Sequence, residues 1–306
     1  MYRTRNFSEK FNATFAYIRE TWKVYLRYTL YLILPVCLAQ SWAMNSFLHE
    51  YLGSVANSEM VRNFEFSDFI LRIVGSYSVL IICALVGQCL LSALCYTLMQ
   101  QYDLRTTRLN DITYSDFSDM FKSNLAKMVR TVLFFIAIGL VIVALTGLFA
   151  AITMWSLVVT VPLLIVALLV VFIPLTIFQP VYLFGNERFI PSLKKSFKYG
   201  FAAWGEIFVV LLVFGLLANI ISSVTTMPWY LVTVVVEVLS QTNSESMLNT
   251  SVWYQFTVFV LGIIQSFGSY IAMILTITGL GFQYFSIAEK KENITFDEQI
   301  QNFDKL

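Results

Sequence analysis

The stretch Thr131–Asn186, TVLFFIAIGLVIVALTGLFAAITMWSLVVTVPLLIVALLVVFIPLTIFQPVYLFGN, runs for 56 residues without one Asp, Glu, Lys or Arg. A single helix of that length would extend about 84 Å at 1.5 Å per residue, whereas the apolar core of a bilayer is about 30 Å thick. We therefore predict two membrane-spanning helices joined by a turn near Thr153–Ser156. Pro174 and Pro180 should kink or end the second helix, because proline cannot donate a backbone hydrogen bond.

Four further stretches lack charge: 28–48, 73–102, 207–236 and 246–288. The chain as a whole is 58% apolar and 13% charged, against about 45–50% and 25% in ordinary soluble domains. These runs predict an all-α integral membrane protein with six transmembrane helices in a single membrane domain, 1–306, without a soluble domain. The fifth helix should end near Ser223 and the sixth should cover about Tyr254–Tyr284, with Trp229–Leu239 as a short interfacial or re-entrant piece.

The basic residues predict the orientation of these helices. Of the 20 basic residues, six lie in 1–27, five in 103–130, four in 185–206 and three after 284, which leaves only Arg62 and Arg72 elsewhere. Since basic residues accumulate on the cytoplasmic side of a membrane, both termini should be cytoplasmic. The first apolar segment, Tyr28–Leu48, is longer than a signal-peptide core and should remain as the first span.

An apolar stripe with spacing 4, 4, 3 precedes the first, third and fifth spans, and this spacing is typical of one face of a helix. Favoured N-cap residues, Asn6, Asp116 and Ser192, stand directly before the three stripes. We predict three cytoplasmic interfacial amphipathic helices and a pseudo-threefold set of parallel repeats at about 6–115, 116–191 and 192–306. The stripes consist of Phe7, Phe11, Phe15, Ile18 and Trp22; of Phe117, Phe121, Leu125 and Met128; and of Leu193, Phe197, Phe201, Trp204 and Phe208.

Lysines should occupy the opposite faces of these helices, where two interpretations stay open. The helices could pack beneath the bundle without a ligand, or their lysines could bind anionic lipid headgroups or a protein partner. The lysines concerned are Lys10, Lys23, Lys122, Lys127, Lys194, Lys195 and Lys198.

Polar amides inside the spans are a second group of candidate site residues. Gln88, Asn219 and Gln265 each need a hydrogen-bond partner within hydrocarbon. They either join helices by hydrogen bonds or line a polar cavity for a lipid headgroup or solute. Glu206 should belong to the third interfacial helix and pair with a lysine, and the small-residue spacing Gly262-x-x-x-Ser266 predicts a close helix contact.

Catalytic and metal-binding patterns are missing from the sequence. It contains no G-x-S-x-G, H-E-x-x-H or Walker-type loop, so we predict no catalytic residue, no metal site and no cofactor. All four cysteines fall inside predicted spans, which is typical of buried apolar side chains rather than of a disulfide framework. A net charge of +1 gives no reason to expect nucleic acid as a partner.

The segment Ser192-Leu193-Lys194-Lys195-Ser196-Phe197-Lys198, followed by Trp204 and a span, resembles a broad bacterial group of six-span inner-membrane proteins. That group includes the membrane domain fused to some glycerophosphodiester phosphodiesterases and the YciC-like proteins. The start of the chain, from Phe7 to Lys23, is similar to the start of the group. The resemblance implies the six-span layout and a bacterial inner membrane, and it carries no catalytic residues.

These observations predict a non-enzymatic membrane protein that acts as a scaffold, an accessory subunit or a lipid-interacting component. A transporter or permease for a lipid or small amphiphile is the alternative, and a membrane-embedded enzyme is the third class. The expected partners are membrane lipids and an unidentified membrane protein. The sequence does not predict an oligomeric state.

The orientation can be tested by labelling single cysteines in a variant without the four native ones. An impermeant thiol reagent added to intact cells should modify a cysteine at position 58 or 244 but not one at 302, because the outer loops are predicted at about 49–71 and 225–253. Modification at position 302 in intact cells would overturn the six-span orientation.

Overall fold

The computed structural model describes residues 1–56, 66–104, 109, 114–152, 156–185, 187–242 and 252–293. All regular secondary structure in these ranges is helical. The helices are α1 (Phe7–Ala56), α2 (Phe66–Leu104), α3 (Tyr114–Ile152), α4 (Ser156–Thr176), α5 (Phe178–Phe184), α6 (Phe189–Ala202), α7 (Trp204–Thr242) and α8 (Val252–Glu292).

Six helical segments in the described part of the chain are long and apolar enough to cross a membrane. This confirms the prediction of an all-α protein with six candidate membrane-spanning helices. The segments are Phe7–Phe47, Tyr77–Leu104, Phe117–Leu148, Val161–Phe184, Trp204–Val236 and Val252–Glu292.

The long charge-free stretch divides where the sequence predicted. Helix α3 ends at Ile152 and α4 begins at Ser156, on either side of the predicted turn. Residues 153–155 lie outside the described residues, as do positions 57–65 and 243–251 of the two predicted outer loops.

The predicted end of the fifth span near Ser223 is wrong, because α7 continues to Thr242 through Pro228. The predicted separate piece Trp229–Leu239 is therefore part of this helix. Hydroxyl groups bond to the preceding turn just before the proline: Thr225 and Thr226 each donate to the carbonyl of Ser222 at 2.9 Å. Such side-chain bonds help a helix in hydrocarbon to tolerate proline.

The chain forms two compact units. Unit 1 comprises Met1–Val24, Ser92–Gly215 and Leu275–Leu306, and unit 2 comprises Tyr25–Leu91 and Leu216–Ile274. Both units are assembled from segments far apart in the sequence, so each depends on contacts between distant helices.

In unit 1, two prolines explain the break between α4 and α5. Pro180 cannot donate to the carbonyl of Thr176, and Thr176 is the last residue of α4. Pro174 likewise leaves the carbonyl of Val170 without its helical donor, and the indole nitrogen of Trp204 donates to that oxygen at 3.3 Å. The hydroxyl of Ser196 donates to the carbonyl of Pro174 at 2.8 Å. The side chain of Trp204 thus satisfies the carbonyl that Pro174 leaves without a helical donor, as is typical of a proline-interrupted span, and Ser196 adds a bond between α6 and α4.

Helix α6 also packs against α4 through a residue without a side chain. A Cβ atom added to Gly200 would lie 2.4 Å from Cα of Pro174, closer than atoms can approach. This contact requires glycine. At the start of α6, Phe189 joins Phe178 and Tyr182 of α5 in an aromatic cluster with ring centroids 5.1–5.5 Å apart.

In unit 2, small and polar side chains hold the helices together. Tyr270 donates to Gln40 Oε1 at 2.9 Å, and Ser41 donates to the carbonyl of Phe259 at 2.7 Å. Ser41 also lies 2.3 Å from where a Cβ of Gly262 would stand, which confirms the predicted close contact at Gly262. Such bonds and close approaches hold helices together in lipid, where water cannot drive apolar association.

The three predicted N-caps have different outcomes. Asn6 caps α1 in a reciprocal pair: its Oδ1 accepts from the backbone N–H of Glu9 at 2.9 Å, and Glu9 Oε2 accepts from the N–H of Asn6 at 2.9 Å. Asp116 is not a cap, since α3 already begins at Tyr114.

Ser192 is not a cap either, because α6 begins at Phe189. Proline at position 191 is compatible with this earlier start, since the first-turn amides of a helix have no internal acceptor. The threefold repeat and the interfacial placement of the three amphipathic segments stay predictions.

Gly200 and Gly205 form a matched pair for testing the α4–α6 contact. We expect Gly200→Ala to destabilise the protein by about 1–3 kcal/mol, because the added methyl group has no room. Gly205→Ala should be neutral or stabilise by up to about 1 kcal/mol, since no heavy atom lies within 4 Å of its Cβ position. Thermal unfolding in detergent measures both. Equal effects of the two substitutions would contradict the packing described for Gly200.

Candidate functional site

The best-defined polar cluster of unit 1 centres on an ion pair between α1 and α7. Lys10 is only 3% exposed, and its ammonium donates to Glu206 Oε2 at 2.8 Å. The carboxylate of Glu206 is 47% exposed and lies in the first turn of α7, where the helix dipole favours a negative charge. A buried ammonium is strongly disfavoured without a partner, so this pair ties the start of α1 to the start of α7.

Helix α8 completes the cluster. Gln283 is fully buried and its Nε2 donates to Glu206 Oε2 at 3.4 Å, while the ammonium of Lys290 lies 3.7 Å from Glu206 Oε1. The other amide atom, Gln283 Oε1, is buried without a hydrogen-bond partner in the described part of the chain. Glu206 therefore receives donors from two other helices. We call Lys10, Glu206, Gln283 and Lys290 the Glu206 cluster.

The position of Lys10 corrects the sequence analysis. Lys10 was expected on the outer, charged face of the first amphipathic segment, but the buried face of α1 carries Lys10, Thr14, Tyr17 and Thr21. The aromatic stripe lies beside this face. Sequence reasoning expected Glu206 to pair with a lysine, and the lysine it pairs with is 196 residues away in the chain.

A cleft of about 390 Å³ lies next to the Glu206 cluster. Its wall includes three cationic side chains, Arg5, Lys290 and Lys291, and one carboxylate, that of Glu206. We call it the basic cleft. It is lined by Thr4, Arg5, Asn6, Ala202, Ala203, Glu206, Ser286, Ile287, Lys290 and Lys291.

Several contacts hold Arg5 in place at the cleft wall. Its backbone N–H donates to Ser286 Oγ at 3.1 Å, and its Nη1 donates to the carbonyl of Met1 at 2.9 Å. The guanidinium carbon lies 5.4 Å from the ring centre of Phe282, a cation–π distance. Burial lowers the pKa of this guanidinium, and the nearby Arg3 adds to the effect, yet arginine stays charged at physiological pH.

Lys290 and Lys291 belong to the last turn of α8. Asn293 ends the helix with φ of 49°, a left-handed conformation that asparagine tolerates, and its N–H donates to the carbonyl of Glu289 at 3.0 Å. Lysines in a last turn interact favourably with the negative end of the helix dipole. The helix end therefore accommodates two adjacent cations at the cleft.

A separate ion-pair network links α6 to the end of α8. Lys195 contacts Glu292 at 2.6 Å and Glu187 at 3.4 Å. Tyr199 donates a hydrogen bond to Glu292, and burial followed by this bond raises the pKa of the Tyr199 hydroxyl. Lys195 therefore already has two carboxylate partners, Glu187 and Glu292.

The other lysines predicted to face headgroups differ in exposure. Lys127 is half-buried, with its ammonium 5.6 Å from the ring centre of Tyr182. The exposed ones are Lys23, Lys122, Lys194 and Lys198.

Two helical surfaces of unit 1 place exposed aromatic rings in line with exposed cations. On α1, Phe15, Arg19 and Trp22 follow each other at helical spacing, and the two rings are 41% and 51% exposed. On α6, Lys194, Lys198 and Phe201 do the same, with Phe201 52% exposed. We call these six residues the interfacial stripes.

The predicted polar trio lies in unit 2. Asn219 is exposed on α7, whereas Gln88 on α2 and Gln265 on α8 are partly buried. None of the three lines the basic cleft. The described structure therefore does not assemble them into that cavity, and the choice between packing and cavity roles stays open.

These features define a multi-pass helical membrane protein with a basic cleft in one of its two compact units. Comparison with protein-family models, with curated proteins and with solved structures finds no match to this chain. The function must therefore be argued from the residues of the chain itself.

The ion pair predicts an asymmetry between its two partners. Glu206→Gln leaves the buried Lys10 ammonium without a counter-charge and should cost about 2–4 kcal/mol. Lys10→Met removes the buried charge, keeps the apolar stem, and leaves a half-exposed carboxylate, so it should cost about 1 kcal/mol or less. Thermal or denaturant unfolding of both variants checks the difference. A larger loss for Lys10→Met would contradict the burial of this pair.

Proposed function

We propose that this chain is a non-catalytic membrane component that contacts anionic lipid through unit 1, and that it serves there as a scaffold or accessory subunit. We further propose that its termini face the cytoplasm and that it resides in a bacterial inner membrane. The partition of basic residues supports the orientation, and the resemblance to the six-span bacterial group supports the location.

The observation that carries this proposal is the alternation of exposed rings and cations in the interfacial stripes. Trp22 of α1 is half exposed, although the same helix buries Thr14 and Thr21. A large aromatic ring on the outside of a membrane protein is favourable at the headgroup level, where its apolar body and polar surroundings both find partners. The neighbouring Arg19 is exposed on the same line of the helix, where its charge would face the same headgroups.

Helix α6 repeats this arrangement with a different sequence. Its buried face consists of Ser192, Ser196, Tyr199 and Gly200, which leaves the line through Lys194, Lys198 and Phe201 outward. Mostly small residues of α6 thus contact the rest of the protein, whereas two lysines and a phenylalanine face away from it. This division of faces is typical of a helix that lies at a membrane surface, and it fits the predicted interfacial role of the amphipathic segments.

A preference for anionic lipid tests the proposal directly. Purified protein in nanodiscs of mixed phosphatidylcholine and phosphatidylglycerol should retain phosphatidylglycerol preferentially, as measured by native mass spectrometry. The double variant Lys194→Gln/Lys198→Gln should weaken this preference about fivefold per lysine removed, since each surface cation contributes about 1 kcal/mol.

The matched control is Lys194→Arg/Lys198→Arg, which keeps both charges at the same positions and should retain the preference. High salt should reduce the preference of the native protein, because surface charges are screened. If the native protein shows no preference for phosphatidylglycerol, or if the glutamine and arginine variants behave alike, the lipid-binding role is wrong.

A further inference from the structure

We infer that the basic cleft of unit 1 is a binding site for a phosphate ester, a ligand class distinct from the diffuse lipid contact of the interfacial stripes. The phosphate could belong to a lipid headgroup or to a soluble molecule. The inference rests on the charge balance, the size and the fixed geometry of the cleft, and it does not require that the stripes bind lipid.

The charge balance of the cleft favours an anion. Arg5, Lys290 and Lys291 stand against the single carboxylate of Glu206, and that carboxylate already bonds to the buried Lys10 at 2.8 Å. No side-chain carboxylate in the described ranges forms an ion pair with Arg5 or Lys291 within 4.0 Å. Among the described residues, the cleft therefore carries a net positive charge, which the carboxylate of Glu9 near Arg5 offsets in part.

The Glu206 cluster explains how this excess is maintained. Lys10 and Gln283 both donate to Glu206 Oε2, so one of the two carboxylate oxygens is already engaged by the protein. Lys290 contacts the other oxygen at 3.7 Å while remaining 67% exposed, which is a long, solvated contact. An incoming phosphate can thus compete for Lys290 without breaking the buried pair.

The geometry of Arg5 points to an oxyanion with several acceptor oxygens. Ser286 and Phe282 of α8 fix the backbone and guanidinium of Arg5, so little side-chain freedom remains to be lost on binding. A planar guanidinium binds phosphate oxygens in pairs, whereas the two lysines act as point charges around it. One arginine and two lysines together match the charge of a phosphate monoester better than that of a single carboxylate.

The size of the cleft agrees with this ligand class. Its volume of about 390 Å³ falls at the lower end of the range of about 300–1,000 Å³ that is typical of small-molecule sites. A phosphate with a small attached group such as glycerol would fit. The apolar Ala202, Ala203 and Ile287 on the same wall supply contact for the carbon part of such a group.

Phosphate binding can be measured on the full-length protein, stripped of lipid in an uncharged detergent. Inorganic phosphate and short-chain phosphatidic acid are titrated separately by calorimetry. We expect saturable binding of at least one of them, and we expect Lys290→Gln/Lys291→Gln to weaken it about tenfold or more, since hydrogen bonds from charged groups are the strong ones. Arg5→Gln should weaken it similarly.

The control variant Lys194→Gln/Lys198→Gln removes the same charge from unit 1 outside the cleft and should change the affinity less than twofold. Saturable binding of phosphatidic acid without measurable binding of inorganic phosphate assigns a lipid headgroup, and saturable binding of inorganic phosphate assigns a free phosphate group. Equal losses in the cleft and control variants, or no saturable binding of either probe, overturn the inference.

The control variant also separates this inference from the proposed function. If Lys194→Gln/Lys198→Gln leaves the preference for phosphatidylglycerol unchanged, the proposed function fails. Calorimetry of the cleft variant is independent of that result.

Discussion

An ammonium group that leaves water must find a counter-charge, and unit 1 is organised around this requirement at Lys10. The lysine is buried at the start of α1, its carboxylate partner Glu206 stands in the first turn of α7, and the buried Gln283 joins them from α8. Three helices that are remote in sequence meet at one charge pair. The same pair engages Glu206 Oε2, and the carboxylate makes a longer contact of 3.7 Å with Lys290 of the adjacent cleft, which remains basic.

At the α4–α5 break, backbone carbonyls need hydrogen-bond partners just as the Lys10 ammonium needs a counter-charge. Pro174 and Pro180 each remove a helical donor, and a bare carbonyl in hydrocarbon is costly. Trp204 and Ser196 donate to Val170 and Pro174 from neighbouring helices. These bonds fix where α6 lies, and Gly200 allows it to lie close. The exposed line of Lys194, Lys198 and Phe201 is thus oriented by the bond of Ser196 and the close contact of Gly200 on the opposite face.

Local signals in the sequence were sufficient for the spans and for some of their ends. Charge-free length predicted six spanning helices and the division of the longest stretch near Thr153–Ser156, and the residue type before the first apolar stripe predicted the cap formed by Asn6. Each of these features depends on nearby residues. The ends near Ser223 and Ser192 were wrong since Thr225 and Thr226 support the helix before Pro228, and Pro191 permits an earlier start of α6. A lysine partner for Glu206 was predicted, but neither its identity as Lys10 nor the basic cleft was. In the sequence, the three cations of the cleft are ordinary charges near the two ends of the chain: Arg5, Lys290 and Lys291. Only folding brings them together, and no periodic pattern in the sequence indicates that they will be close.

The distance along the chain between Lys10 and its partners has a consequence for biosynthesis. Ribosomes add about 5–20 residues per second, so Glu206 is made about 10–40 s after Lys10, and Gln283 later still. During that interval the lysine has to remain hydrated while several spans enter the membrane. The buried charge pair is therefore a late event, and unit 1, which contains both early and late segments, closes only after α8 has been synthesised.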